Sequence, residues 1–129
     1  MSSAHEHGVV GKPTTSYSPA LIAPAGRTVF ISGQVAMDPE GKLVGDQDFE
    51  RQCRQTFENV RSLVEQAGGS MKNIVKITTF TKDMSRYAVF SKVRGEVFQA
   101  PYPASTMVEV SDLFKPGLLI EIEAIAVLP

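Results

Sequence analysis

Two glutamates set inside an apolar strand are the residues with the clearest chemical potential in this chain. Glu121 and Glu123 lie in the stretch Leu118 to Val127, where side chains alternate between faces. Ile120, Ile122, Ala124 and Ala126 make one uniformly apolar face, whereas Leu119, Glu121, Glu123, Ile125 and Val127 share the other. A face that mixes aliphatics with carboxylates suits a sheet that meets another subunit, with a partly buried acid lining the resulting cleft. Leu119, Ile125 and Val127 are the expected apolar part of that patch. The alternative is a solvated strand with scattered apolar residues. No Walker loop, GxGxxG, GxSxG, HExxH or CxxC pattern occurs in the sequence. The chemistry left open is acid–base work by a carboxylate, supported by hydroxyls and backbone amides.

The remaining reactive side chains have simpler readings. Cys53 is a lone cysteine on the apolar side of a predicted helix and reads as a small core residue. His5 and His7 stand two apart near the N-terminus, where a frayed end is a better reading than a metal grip.

The elements that must position Glu121 follow from periodicity. Apolar residues recur at three- and four-residue spacing from Phe49 through Cys53, Phe57, Val60 and Val64 to Ala67, predicting an amphipathic helix capped by Asp46 or Asp48 and stopped at Gly68-Gly69. Asn73 to Phe80 is rich in β-branched residues and reads as a strand. A second helix is predicted from an Asp83 cap through Tyr87, Phe90, Val93 and Val97, ended by Pro101 and Pro103. A hairpin is expected from Tyr17–Ala23 and Thr28–Ser32, and another from Thr106–Val110 and Leu118–Val127 around Lys115-Pro116-Gly117. Gly33, at the end of the Thr28 strand, permits an unusual dihedral or a close approach. The order β-hairpin, α, β, α, β-hairpin gives an α+β domain over residues 1–129, a single mixed sheet with two helices on one face. Its bare face is expected to pack against copies of itself in a closed ring.

Composition bounds the function. The chain has 129 residues, 43% hydrophobic and 21% charged, with 13 Lys+Arg against 14 Asp+Glu and a formal net charge of −1. That balance removes the attraction on which non-specific nucleic-acid binding depends, so nucleic acid is not the expected partner. No run is long enough to span a membrane, and the polar N-terminus does not read as an export signal, so the cytoplasm is the expected compartment.

Ser16-Tyr17-Ser18-Pro19-Ala20, Ile31-Ser32-Gly33-Gln34, Asn73-Ile74-Val75-Lys76, Pro101-Tyr102-Pro103-Ala104 and Ile120-Glu121-Ile122-Glu123-Ala124-Ile125-Ala126 follow one another in an order that resembles the RidA/YjgF family over nearly the whole chain. The resemblance implies a chorismate-mutase-like α+β fold and a homotrimer, its sheets facing a central barrel, with ligand clefts between subunits. It also implies hydrolysis of small imines and enamines to a keto acid and ammonia, without metal or cofactor. By the same resemblance Glu121 positions and activates water, and Tyr17, Ser32 and Gly33 line the cleft.

The departures matter as much. Where the imine deaminases carry an arginine after Pro-Ala, gripping the substrate carboxylate, this chain has Ser105. Two parallel charged hydrogen bonds are lost, each worth about 1.5–3 kcal/mol. The family's usual cysteine is Met107 and its second-helix asparagine aligns with Ser91, so Ser91, Ser105, Thr106 and Met107 define an altered substrate pocket. Arg94 could return a displaced positive charge, although a helical arginine is by default solvated. The altered pocket leaves a second reading open, a non-catalytic trimer that binds a metabolite in the same clefts or acts as a regulatory or chaperone-like partner. A ribonuclease, a label some relatives carry, is disfavoured by the charge balance.

Overall fold

The computed structural model describes residues 8–13 and 15–129; His5 and His7 lie outside the described residues. The chain runs β1 (Gly8–Val10), β2 (Ala20–Ile22), β3 (Arg27–Val35), α1 (Phe49–Gln66), β4 (Ile74–Thr81), α2 (Tyr87–Val97), β5 (Ala104–Glu109) and β6 (Ile120–Leu128). The four longer strands form one mixed sheet in the order β3-β6-β4-β5, with β4 and β5 parallel and the other pairs antiparallel.

Both expected hairpins are absent. The Tyr17–Ala23 segment contributes β2, which pairs with β1 in a separate two-stranded ribbon, while β3 pairs with β6. At the other end β5 and β6 are not neighbours, because β4 lies between them. Residues 110–119 are therefore a connection across the sheet end, longer than the two to five residues of an ordinary hairpin loop.

Both helices pack on the face formed by Ile120, Ile122, Ala124 and Ala126, all buried. Helix α1 starts at Asp48, whose Oδ1 accepts from the Arg51 amide at 3.1 Å, and stops where Gly68 takes a φ of +100°. Its Phe57 stacks on Phe90 of α2 at 5.9 Å between centroids and meets Phe98 edge-on at 5.6 Å. Asp83 caps a single 3-10 turn that leads into α2. Cys53 is fully buried among these residues, and burial pushes its thiol up to about 12, so it is a packing residue rather than a nucleophile.

The opposite face of the sheet carries no helix. Phe30 is 78% exposed there, beside its register partner Ile125, and Phe80 and Val108 continue the apolar patch. Its membership differs from the expected Leu119, Ile125 and Val127. Val127 is only 6% exposed, packed beside Gly26, and Leu119 precedes β6 with its amide held by Gln52.

Candidate active site

Glu121 sits near the start of β6 on the uncovered face, in register with Phe80 of β4 and Val35 of β3. The β3–β6 ladder shifts between Ile31 and Gln34, so Ser32 and Gly33 have no partner residue there. This bulge brings the Gly33 backbone under the Glu121 carboxylate, where a Cβ on residue 33 would overlap Oε2. Of the two uses of glycine, the close approach is the one realised. Burial, and then the like charge of Glu123 two residues on, raise the Glu121 pKa above the usual carboxylate value. The carboxyl lines an open concavity of about 340 Å³ with Phe80, Asp112, Phe114 and Glu123. Phe114, 64% exposed, also borders the neighbouring concavity over Gly33 and Gln34.

Two buried or half-buried amides of α1 fix this end of the sheet, and neither was expected from sequence. Gln52 Nε2 donates to the carbonyls of Gly45 (3.1 Å) and Gly117 (2.8 Å), and its Oε1 accepts from the Leu119 amide at 2.9 Å. Asn59 Nδ2 donates to the carbonyls of Val35 and Met37 at 2.8 and 3.0 Å. One clamp precedes Glu121 by two residues; the other follows Gly33 by two. Their only sequence signal is an amide on the core-facing side of an amphipathic helix, where an unpaired polar group would be costly.

The second cluster lies at the β5 edge. Ser18 bridges to Ala104 alongside β5, its amide donating to the Pro103 carbonyl at 3.0 Å. Ser16 Oγ donates to the Ser91 carbonyl at 3.2 Å. Tyr17 is held between these two pinned serines, its ring over the Arg94 guanidinium at 4.9 Å. Arg94 is not a solvated helix residue: it is 1% exposed. Its Nε donates to Ser16 Oγ (2.9 Å), Nη1 to Ser105 Oγ (3.0 Å), and Nη2 to Tyr87 Oη (3.2 Å) and Ser91 Oγ (3.4 Å). The guanidinium thus reaches Ser105, the position at which the family resemblance leads to the expectation of an arginine.

Tyr17, Ser91 and Ser105 are therefore brought together, and Met107 lies on the same sheet face, half-buried against the core. Thr106 points to the other face, where its Oγ1 accepts from Lys76 Nζ at 2.8 Å. Ser32 is exposed beside Gly33, its carbonyl accepting from Gln34 Nε2 at 3.0 Å.

The two clusters do not meet within one chain. Ser105 pairs with Ile77, which pairs with Ala124 on the helix-covered face, whereas Glu121 pairs with Phe80, which pairs with Val108 on the bare face. The separation is two strand spacings of about 4.8 Å and three residues of about 3.3 Å, roughly 14 Å along the sheet, as well as a change of face. Among the described residues no group of three or more His, Cys, Asp or Glu could hold a metal ion, and no helix is long and apolar enough to cross a membrane.

A small α+β fold with a raised-pKa glutamate against a bulge glycine, and a tyrosine and serine at the opposite sheet edge, defines the class. The chain belongs to the RidA/YjgF family, whose model, described as endoribonuclease L-PSP, matches residues 10–128. A RutC family protein of Pyrococcus horikoshii is 42% identical over 115 residues, 89% of each chain. A 2-iminobutanoate/2-iminopropanoate deaminase of Salmonella typhimurium is 40% identical over 122 residues, covering 88% of this chain and 94% of the relative. Among solved structures, a conserved Rid family protein of Yersinia pestis superposes with a TM-score of 0.87 at 31% identity, covering 95% of this chain and 98% of that one. RidA from an Antarctic Psychrobacter gives 0.75 at 36% identity, covering 98% and 97%.

Proposed function

We propose that this protein is a cofactor-independent hydrolase of small imines and enamines, working in clefts shared between adjacent subunits of a homotrimer. The observation that carries the reading is the Glu121 carboxylate, lifted in pKa, packed on Gly33 and open to a concavity. A carboxylate so placed can take a proton from water as the oxygen adds to the C=N carbon, then return it to nitrogen. The tetrahedral carbinolamine collapses to a carbonyl and ammonia, so imine and water account for every atom. Relatives named 2-iminobutanoate/2-iminopropanoate deaminase support this reaction class.

Division of the site between two sheet faces supports the ring. A ligand touching both Glu121 and the Tyr17–Ser105 cluster needs a second copy to supply one of them, and the apolar bare face centred on Phe30 gives copies a reason to associate. The net charge of −1 supports a small metabolite over nucleic acid as the ligand.

The test is ammonia and keto-acid release from imines generated in situ by an amino-acid oxidase, with semicarbazide trapping the imine that remains. Turnover by the wild type that disappears in Glu121→Gln supports the reading. Binding of a keto acid with no turnover on any imine would instead make the protein a metabolite-binding trimer.

A further inference from the structure

We infer that Phe114 divides the space around Glu121 into two compartments and selects substrates by side chain, favouring imines with a large apolar group that lies across Gly33 against helix α1. The inference rests on the proposed hydrolase and adds to it the size and polarity of the substrate's side chain.

Phe114 stands near the middle of the connection between β5 and β6, and both ends of that connection are fixed. The Val110 amide donates to the Thr81 carbonyl at 2.8 Å, the Lys82 amide donates to the Leu119 carbonyl at 3.0 Å, and Lys82 Nζ reaches Asp112 Oδ1 at 3.4 Å. Gln52 holds the Gly117 carbonyl from helix α1. A connection anchored in this way nevertheless leaves the Phe114 ring 64% exposed. A ring kept in water forgoes the stabilisation of burial, which a ligand seated against it supplies.

The ring borders two concavities. On one side about 340 Å³ is lined by Phe80, Asp112, Glu121 and Glu123; on the other about 510 Å³ is lined by Gly33, Met37, Asn59 and Leu63. They meet at the proposed base, because the Glu121 carboxylate rests on Gly33. Their linings differ in charge. The first gathers three carboxylates, while the second holds one, Asp38, whose Oδ1 is taken up by the Glu40 and Lys42 amides at 2.9 Å each. The side-chain amides of the second are also turned to the protein, Asn59 Nδ2 to two backbone carbonyls and Gln66 Nε2 to Ser62 Oγ at 3.0 Å. What that wall offers a ligand is the apolar surface of Met37, Leu63 and Phe114. A C=N carbon held at Glu121 therefore has a carboxylate-lined space on one side and a larger, more apolar one on the other, and an uncharged apolar side chain belongs in the second.

The experiment measures calorimetric binding of 2-oxobutanoate and of 2-oxo-4-phenylbutanoate, the same keto acid with a phenyl ring added to its side chain, to the assembled protein. Wild type is expected to bind the phenyl compound about tenfold or more tightly, the effect of burying the added ring. Phe114→Ala should bring the ratio of the two dissociation constants towards one. Leu63→Glu, which sets a charge on the far wall from an exposed helix position, should do the same. General loosening would weaken both ligands together and leave the ratio unchanged. Equal binding by wild type, or a ratio unmoved by either variant, overturns the inference. So does dissociation of the Phe114→Ala oligomer at a concentration where wild type stays assembled, since the ring would then be a contact between copies. The two proposals fail separately: preference for the phenyl compound without imine turnover leaves this one standing and sinks the hydrolase, while turnover indifferent to side-chain size does the reverse.

Discussion

The Glu121 carboxylate occupies the space that a side chain at Gly33 would fill. Gly33 does not need a left-handed backbone, since its φ is not among the positive ones, so the position is glycine for room. What a Cβ would meet is the far end of a flexible side chain, which can move at little cost in stability. Gly33→Ala should therefore leave Tm within a few degrees of wild type while displacing the carboxylate and lowering kcat by about a hundredfold, the usual weight of one general base. Unchanged kcat with a displaced Glu121 would remove that residue from the chemistry.

The acid limb of the kcat/KM profile should lie above the ordinary carboxylate range, because Glu121 must be ionised to accept a proton and both burial and Glu123 oppose ionisation. Activity falls as pH drops through that raised pKa. Glu123→Gln removes the like charge and should move the limb to lower pH without abolishing turnover. A limb that stays in place would show that Glu123 does not act on Glu121.

The same shift predicts a stability effect. A carboxyl whose folded pKa is raised binds its proton more tightly folded than unfolded, so its cost to stability grows as pH rises through that window and persists above it. Glu121→Gln should raise Tm at pH 7, and the gain should shrink on acidification. Lower stability at pH 7 would mean that Glu121 serves a structural ionic contact instead.

Gln52 holds three backbone groups from inside helix α1. Gln52→Leu fits the space but orphans two carbonyls and the Leu119 amide, costing about 3 kcal/mol or more, read as a lower midpoint in urea. Because Leu119 leads into Glu121, kcat should fall as well. Loss of stability with kcat intact would restrict Gln52 to a structural role.

Periodicity made both helices and β6 legible, and the cap at Asp48 lies where the sequence puts it, whereas Asp83 caps the 3-10 turn before α2, whose own N-cap residue, Arg86, makes no side-chain cap. Strand order was not legible in the same way. Turn residues at Lys115-Pro116-Gly117 signal a hairpin locally, yet the connection from Glu109 to Ile120 is long enough for β6 to cross the sheet end and pair with β3 and β4. Alternating burial says which face a residue occupies, not which strand lies beside it. Arg94 carried a signal that residue type obscured: it stands four residues after Phe90 and seven after Tyr87, on the helix stripe that turns inward. The bulge that brings Gly33 under Glu121 depends on two strands distant in sequence, so no local pattern marks it beyond the glycine itself.

The central claim, that each working cleft joins Glu121 of one subunit to the Tyr17–Ser105 cluster of another, is tested most directly by co-assembly. Glu121→Gln and Tyr17→Leu subunits, each expected to be inactive alone, would be co-expressed, purified as mixed oligomers and assayed for imine hydrolysis. Each mixed trimer holds about one cleft in three with both elements intact, so activity should return to roughly a third of wild type. Mixed oligomers that stay inactive would contradict a site shared between subunits.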